Sequence, residues 1–284
     1  MRVTMYKTIV GLAAAAVLST GVVYANTSPA YKVGDVFKEQ IKGLTGTNYV
    51  MEQQEIDVTG DNIDDNIIIL GQKETKEDVY HSKVNILVKD GKTKSLKLVP
   101  VGGGYDGTVK IGDFDGNHIN DVAISLQNGG SGGTVNSSVV SFDGANPKYI
   151  LKDGEGHELV KIKGKYIDDF KAEIEFLNIK KTIVLDLSAK KDQYIESEIY
   201  DKDGKLLKEV EPWTDGLKTF NLVDLNGDET LEVMTSTSIC GDSHVDRISR
   251  VDLTMQYLDG KWDIKKMSVS QPIIENPLKS YNQK

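Results

Sequence analysis

Three nine-residue segments of the chain concentrate oxygen-bearing side chains at one spacing. They are Asp57-Val-Thr-Gly-Asp-Asn-Ile-Asp-Asp65, Asp113-Phe-Asp-Gly-Asn-His-Ile-Asn-Asp121 and Asp224-Leu-Asn-Gly-Asp-Glu-Thr-Leu-Glu232. At positions 1, 3, 5 and 9 the first offers Asp57, Thr59, Asp61 and Asp65. The second offers Asp113, Asp115, Asn117 and Asp121, and the third Asp224, Asn226, Asp228 and Glu232. Each set holds three carboxylates and one neutral oxygen, and the position-7 carbonyls of Ile63, Ile119 and Thr230 add a backbone acceptor. A tight cluster of hard oxygen donors, roughly six to eight at about 2.3–2.6 Å, is what Ca²⁺ takes. Three negative charges within nine residues repel one another unless a cation offsets them. Gly60, Gly116 and Gly227 at position 4 permit the sharp bend such a loop needs. The expectation is Ca²⁺ bound by these loops.

A single Asp-X-Asp-Gly segment would read as a polar turn, as Asp201-Lys-Asp-Gly204 does. Three copies in one register, each with a position-9 carboxylate leading into an apolar run, argue for a metal loop. It is not an EF-hand, which carries Gly at position 6 and a bidentate Glu at position 12 between helices. Here position 6 is Asn62, His118 or Glu229, and position 12 is Ile68, Ile124 or Thr235.

The elements that must hold these loops are strands. Asn66–Leu70, Val84–Val88, Leu96–Val101, Val122–Leu126, Val139–Phe142, Thr182–Leu187 and Val251–Tyr257 are short runs rich in Val, Ile and Leu. Asp90-Gly91, Asp143-Gly144, Asp203-Gly204 and Asp259-Gly260 are hairpin signals. Helical periodicity is weak outside Tyr31–Ile41. The loops begin 56 and 111 residues apart, and the second spacing is close to twice the first. A degenerate copy is therefore expected near Asp169-Phe-Lys-Ala-Glu-Ile-Glu-Phe-Leu177, which lacks the glycine and has Lys171 at a ligand position. A unit of roughly four strands cannot bury both sheet faces alone and must stack on its neighbours. The expected fold is all-β, a β-propeller-like array of about four to five four-stranded repeats of ~56 residues.

Gly112-Asp-Phe-Asp-Gly-Asn117 followed by Asp121-Val-Ala-Ile resembles the FG-GAP/VCBS repeat of integrin α-subunit-type β-propellers. The likeness extends at repeat level over roughly residues 45–270. It implies calcium loops between the first two strands of each blade, with ligands at positions 1, 3, 5, 7 and 9. It also implies a structural role for the ion and a role in adhesion or protein binding for the protein.

The N-terminus carries basic Arg2 and Lys7, an uncharged apolar stretch from Thr8 to Val22, and Val23-Tyr24-Ala25. That pattern predicts a signal peptide over residues 1–25, cleaved before Asn26. A lead-in over 26–44, a repeat domain over 45–275 and a tail over 276–284 follow. Lys and Arg total 34 against 43 Asp and Glu, a formal charge of −9, which argues against general nucleic-acid binding. The single Cys240 excludes an intrachain disulfide framework, and four histidines offer little for a histidine-rich metal site.

No nucleophile elbow, His-Glu-x-x-His, P-loop or dinucleotide fingerprint is present. Gly102-Gly-Gly104 reads as a loop, and the nearness of Cys240 to His244 in sequence does not by itself make a catalytic pair. These features together lead to an exported calcium-binding β-repeat protein, secreted or in the cell envelope. It is expected to act as a binding or adhesion module for protein or polysaccharide at the cell surface, with no transmembrane segment after cleavage. The rival expectation is an exported hydrolase on the same scaffold.

Overall fold

Apolar runs without alternation mark strands covered on both faces, and Ile67-Ile-Ile-Leu70 is such a run. In the computed structural model, which describes residues 31–273, it lies in the second strand of the first of four antiparallel sheets. The expected signal peptide, its cleavage site and the tail over 276–284 lie outside the described residues. Among the described residues no helix is long and apolar enough to cross a membrane.

Sheet 1 runs in chain order through β1 (Asn48–Ile56), β2 (Asp65–Gln72), β3 (Lys83–Lys89) and β4 (Leu96–Pro100). Sheet 2 repeats that plan with β5 (Gly107–Gly112), β6 (Asp121–Gln127), β7 (Val135–Ser141) and β8 (Lys148–Leu151). Sheet 3 has three strands, β9 (Ile162–Ile167), β10 (Lys171–Phe176) and β11 (Lys181–Asp186), and is followed by the short helix α1 (Lys191–Glu196). In sheet 4, β12 (Trp213–Thr214) and β13 (Thr219–Val223) share the edge of β14 (Glu232–Cys240), which pairs with β15 (Arg247–Leu258) and through it with β16 (Lys261–Ser270). All seven expected strand runs fall on or overlap these strands. The repeat of four sheets is present, but with four, four, three and five strands rather than a uniform four.

The core follows from strand alternation. Ile67 and Ile69 face Val122, Ile124 and Leu126 of sheet 2, while Ile68 and Leu70 pack beneath Phe37, Ile41 and Leu44. Tyr31–Ile41 is not helical. Gly34 takes φ +88° and Val36 makes a β-bridge to Tyr49, so the segment caps sheet 1 as irregular chain. The opposite face of sheet 2, through Phe114, Ala123 and Val139, joins sheets 3 and 4 in a larger cluster.

A buried polar knot ties helix α1 to this cluster. The Asp246 carboxylate accepts hydrogen bonds from Tyr166 Oη at 3.0 Å and Tyr194 Oη at 2.8 Å, and pairs with Lys190 Nζ at 3.2 Å. Burial, together with the Asp246 charge, raises both tyrosine pKa values, so they stay neutral donors.

Candidate functional site

Each oxygen-rich loop joins two consecutive strands of its sheet, β1 to β2, β5 to β6 and β13 to β14. The three share one backbone. The position-1 carboxylate accepts N–H bonds from positions 4 and 6. For Asp57 these come from Gly60 at 2.8 Å and Asn62 at 2.7 Å, and for Asp113 from Gly116 and His118, both at 2.8 Å. For Asp224 they come from Gly227 at 2.7 Å and Glu229 at 3.1 Å. The position-5 oxygen of Asp61, Asn117 or Asp228 accepts from the position-7 N–H at 2.8–3.0 Å. The position-9 carboxylate reaches back to the N–H of position 2, which is Val58, Phe114 or Leu225.

Such a bend needs left-handed backbone at two places. Gly60, Gly116 and Gly227 supply φ +77°, +77° and +76°. Asn62, His118 and Glu229 take φ +63°, +63° and +70° at position 6, a conformation that glycine would adopt without strain.

The loops also touch. Asn120 Nδ2, at position 8 of the second loop, donates to the Asp57 carbonyl at 3.0 Å. Leu231, at position 8 of the third, donates its N–H to the Asp113 carbonyl at 2.7 Å, beside a parallel bridge between Asp113 and Thr230. Ile119 lies against Gly60, where a Cβ would collide with it. The loops therefore stand in a row in the order sheet 1, sheet 2, sheet 4. This departs from the radial chain order expected of a propeller. Sheet 3 has only the turn Asp168–Phe170 between β9 and β10, too short to enter the row. That turn is where the degenerate fourth copy was expected, and Lys171 there pairs with Asp169 at 3.4 Å.

What differs is the use of the carboxylates. In the first loop Asp65, fully buried, accepts from Val58, Thr59 and Gly91 backbone N–H groups on its two oxygens, at 2.9–3.0 Å. Lys92 stands 4.0 Å from Asp61. In the third loop Asn226 Nδ2 donates to Asp228 at 2.8 Å. In the second loop Asp113, Asp115 and Asp121 bring one carboxylate oxygen each within 4.8 Å of one another, and among the described residues this is the one such trio of potential ligands. Asp121 is fully buried, and its Oδ1, like Oδ1 of Asp115, has no hydrogen-bond partner. Burial pushes the Asp121 carboxyl up to about 7, and burial with the neighbouring Asp113 charge raises Asp115.

The turn between the third and fourth strands of sheets 1 and 2 also reaches this end, which the loop spacing alone does not indicate. In sheet 1 that turn supplies the Gly91 N–H to Asp65. In sheet 2 it supplies Asp143, whose carboxylate accepts from Asn117 Nδ2 at 3.0 Å. The Asp-Gly dipeptides at 90–91 and 143–144 were the available signal. Cys240 ends β14 and is buried. Its thiol meets the His244 carbonyl at 3.9 Å, and burial pushes it up to about 11, away from the reactive thiolate.

Residues 160–270 match the family model described as the YybI C-terminal domain. The chain is 24% identical over 216 residues to a Bacillus subtilis (strain 168) protein described as "Uncharacterized protein YybI", covering 75% of this chain and 82% of that one. No solved structure gives a significant match. These findings correct the FG-GAP/VCBS resemblance, because no such family model matches while sheets 3 and 4 match a different one. The resemblance rested on nine-residue loops, which any strand–loop–strand unit can carry. The body of the sheets follows another pattern.

Proposed function

We propose that this is an exported calcium-binding β-repeat protein that acts as a binding module at the cell envelope or outside the cell. We assign the ion to the second loop, held by Asp113, Asp115 and Asp121, with Asn117 and the Ile119 carbonyl completing the oxygen set. The observation that carries this reading is the pair of unpartnered buried oxygens on Asp115 and Asp121 beside a third carboxylate. Buried anionic oxygens without donors are costly, and a hard divalent cation suits them by charge and by donor type. When bound, Ca²⁺ would neutralise the cluster and cross-link β5, its loop and β6.

The first and third loops share the register and remain part of the reading as calcium loops. There a cation would compete with the hydrogen bonds and the ion pair already made by Asp65, Asp61 and Asp228. The row of loops supports treating the sheets as blade-like units stacked side by side. Export rests on the N-terminal pattern of residues 1–25, and protein or polysaccharide at the cell surface is the proposed partner.

The test is thermal unfolding with calcium and with chelator. A ligand that binds only the folded state stabilises by RT ln(1 + [L]/Kd). For an extracellular-type affinity of ~10⁻⁴ M at ~1 mM calcium that is about 1.4 kcal/mol. Wild type should melt higher in calcium, and Asp115→Ala should lose the second loop's share of that difference. Identical melting of wild type in both conditions overturns the reading.

A further inference from the structure

The chain has three arginines, and two of them, Arg247 and Arg250, line one cavity of about 480 Å³ beside sheet 4. Lys218 lines it as well, with Ser236, Thr237, Ser238, Ser249, Ser270 and Gln271 supplying hydroxyl and amide groups. Among the described residues no carboxylate lines it, in a protein whose formal charge is −9. Charge of that sign, collected in one concavity against the charge of the whole protein, is the pattern of an anion site.

The site is built rather than incidental. Pairing places Ser238 opposite Arg250 and Arg250 opposite Ser270, so the three form a row across β14, β15 and β16 on one face. Ser236 and Ser238 are only 1% and 6% exposed. Arg247 Nη2 donates to the carbonyls of Ser131 at 2.8 Å and Gly132 at 3.3 Å, and Lys218 Nζ donates to the Gly132 carbonyl as well, so the glycine-rich loop 128–133 is held against the cavity. The nearby carboxylates pair with cations of the cavity itself and offset part of its charge. Asp215 pairs with Lys218 at 2.6 Å and lies 3.6 Å from His244, and Asp252 takes Nε of Arg250 at 2.7 Å. Each arginine retains guanidinium N–H groups beyond those bonds. Arg250 also lines a second cavity of about 230 Å³, together with Asp252 and Lys266.

We propose that this cavity binds a phosphate-bearing ligand through the guanidinium groups of Arg247 and Arg250, assisted by the serine hydroxyls of the sheet. A carboxylate presents two oxygens and is satisfied by one guanidinium fork. The two guanidiniums, through the N–H groups not bonded to Ser131, Gly132 and Asp252, together with a row of hydroxyls, exceed that and suit the larger, more highly charged oxygen set of a phosphoryl group. The proposal stands apart from the calcium reading, since none of its residues belongs to the carboxylate loops.

Calorimetric titration of the folded protein tests it, with inorganic phosphate and with glycerol phosphate, at constant ionic strength and calcium below its precipitating level. Saturable binding of either is expected. Inorganic phosphate alone would identify the free ion as the ligand, and tighter binding of glycerol phosphate an esterified one. Arg250→Gln should weaken binding about tenfold or more, with an unchanged melting temperature. Lys265→Gln, which removes an equal charge from β16 outside the cavity, should leave affinity unaltered. The proposal is overturned if neither phosphate binds, if acetate binds as well as phosphate, or if Lys265→Gln weakens binding as much as Arg250→Gln.

Discussion

The first and second loops have the same length and backbone and three carboxylates each at positions 1, 3, 5 and 9, yet they use those carboxylates in opposite ways. The first is closed by protein donors, with Gly91 capping Asp65 and Lys92 near Asp61. The second meets a further carboxylate, Asp143, and leaves buried oxygens of Asp115 and Asp121 without partners. Counting acidic residues along a loop therefore does not tell a self-satisfied turn from a cation site. The donors brought by the neighbouring turn do.

The largest expected effect separates the two position-9 residues in chelator. Asp65→Ala removes the acceptor of three backbone N–H groups at a fully buried position. Hydrogen bonds to a charged group contribute about 1.5–3 kcal/mol each and add imperfectly, so a loss of about 3–5 kcal/mol is expected in urea unfolding. Asp121→Ala removes the bond from Phe114 and also removes a buried charge, so a loss of about 1 kcal/mol is expected. Equal losses for the two variants would erase the distinction between the loops.

A smaller effect is a pH dependence. In the calcium-free protein the Asp121 carboxyl is pushed up to about 7 by burial, above its value in the unfolded chain. The folded state then takes up the proton first, so Asp121 should contribute about 1 kcal/mol of stability as pH falls from 8 to 6. His81, whose pKa burial lowers, makes an opposing contribution. Asp121→Asn should remove the Asp121 contribution. A pH profile of Asp121→Asn parallel to that of wild type over the same interval would contradict the raised pKa of this side chain. With saturating calcium the trend should invert, because protons then compete with the ion.

Much of this arrangement was legible in the residues. Alternation and Asp-Gly turns marked the strands, and the loop spacing located one strand-to-strand connection in each of the four sheets, including the shortened one at Asp169. The order of the sheets was not legible, since nothing local in Leu231 or Asn120 announces that position 8 of one loop binds the carbonyl opening the loop beside it. The family likeness failed for a related reason. Nine residues determine a bend and a ligand register, while the surrounding sheets are set by packing of residues such as Tyr166, Tyr194 and Tyr257, which carry no periodic signature. The basic cavity escaped attention because Arg247 and Arg250 are unremarkable in sequence. Their meaning comes from β14 and β16 laying serines on either side of Arg250.

The smallest expected effect tests the neighbouring turn itself. Asp143 lies on the exposed turn between β7 and β8 and contacts Asn117, so its charge reaches the second loop through partly solvated surroundings. Exposed charge interactions of that kind contribute about 0.2–1 kcal/mol. Asp143→Asn keeps the shape of the side chain and should weaken apparent calcium affinity by about threefold, equivalent to ~0.6 kcal/mol. Asp61→Ala, which removes a carboxylate from the first loop beside Lys92, should leave that affinity unchanged. Both are measured by calcium titration at fixed pH and ionic strength, and raising the salt should shrink the Asp143 effect through screening. If Asp61→Ala weakens calcium binding and Asp143→Asn does not, the ion belongs to the first loop and the assignment of the two loops must be exchanged.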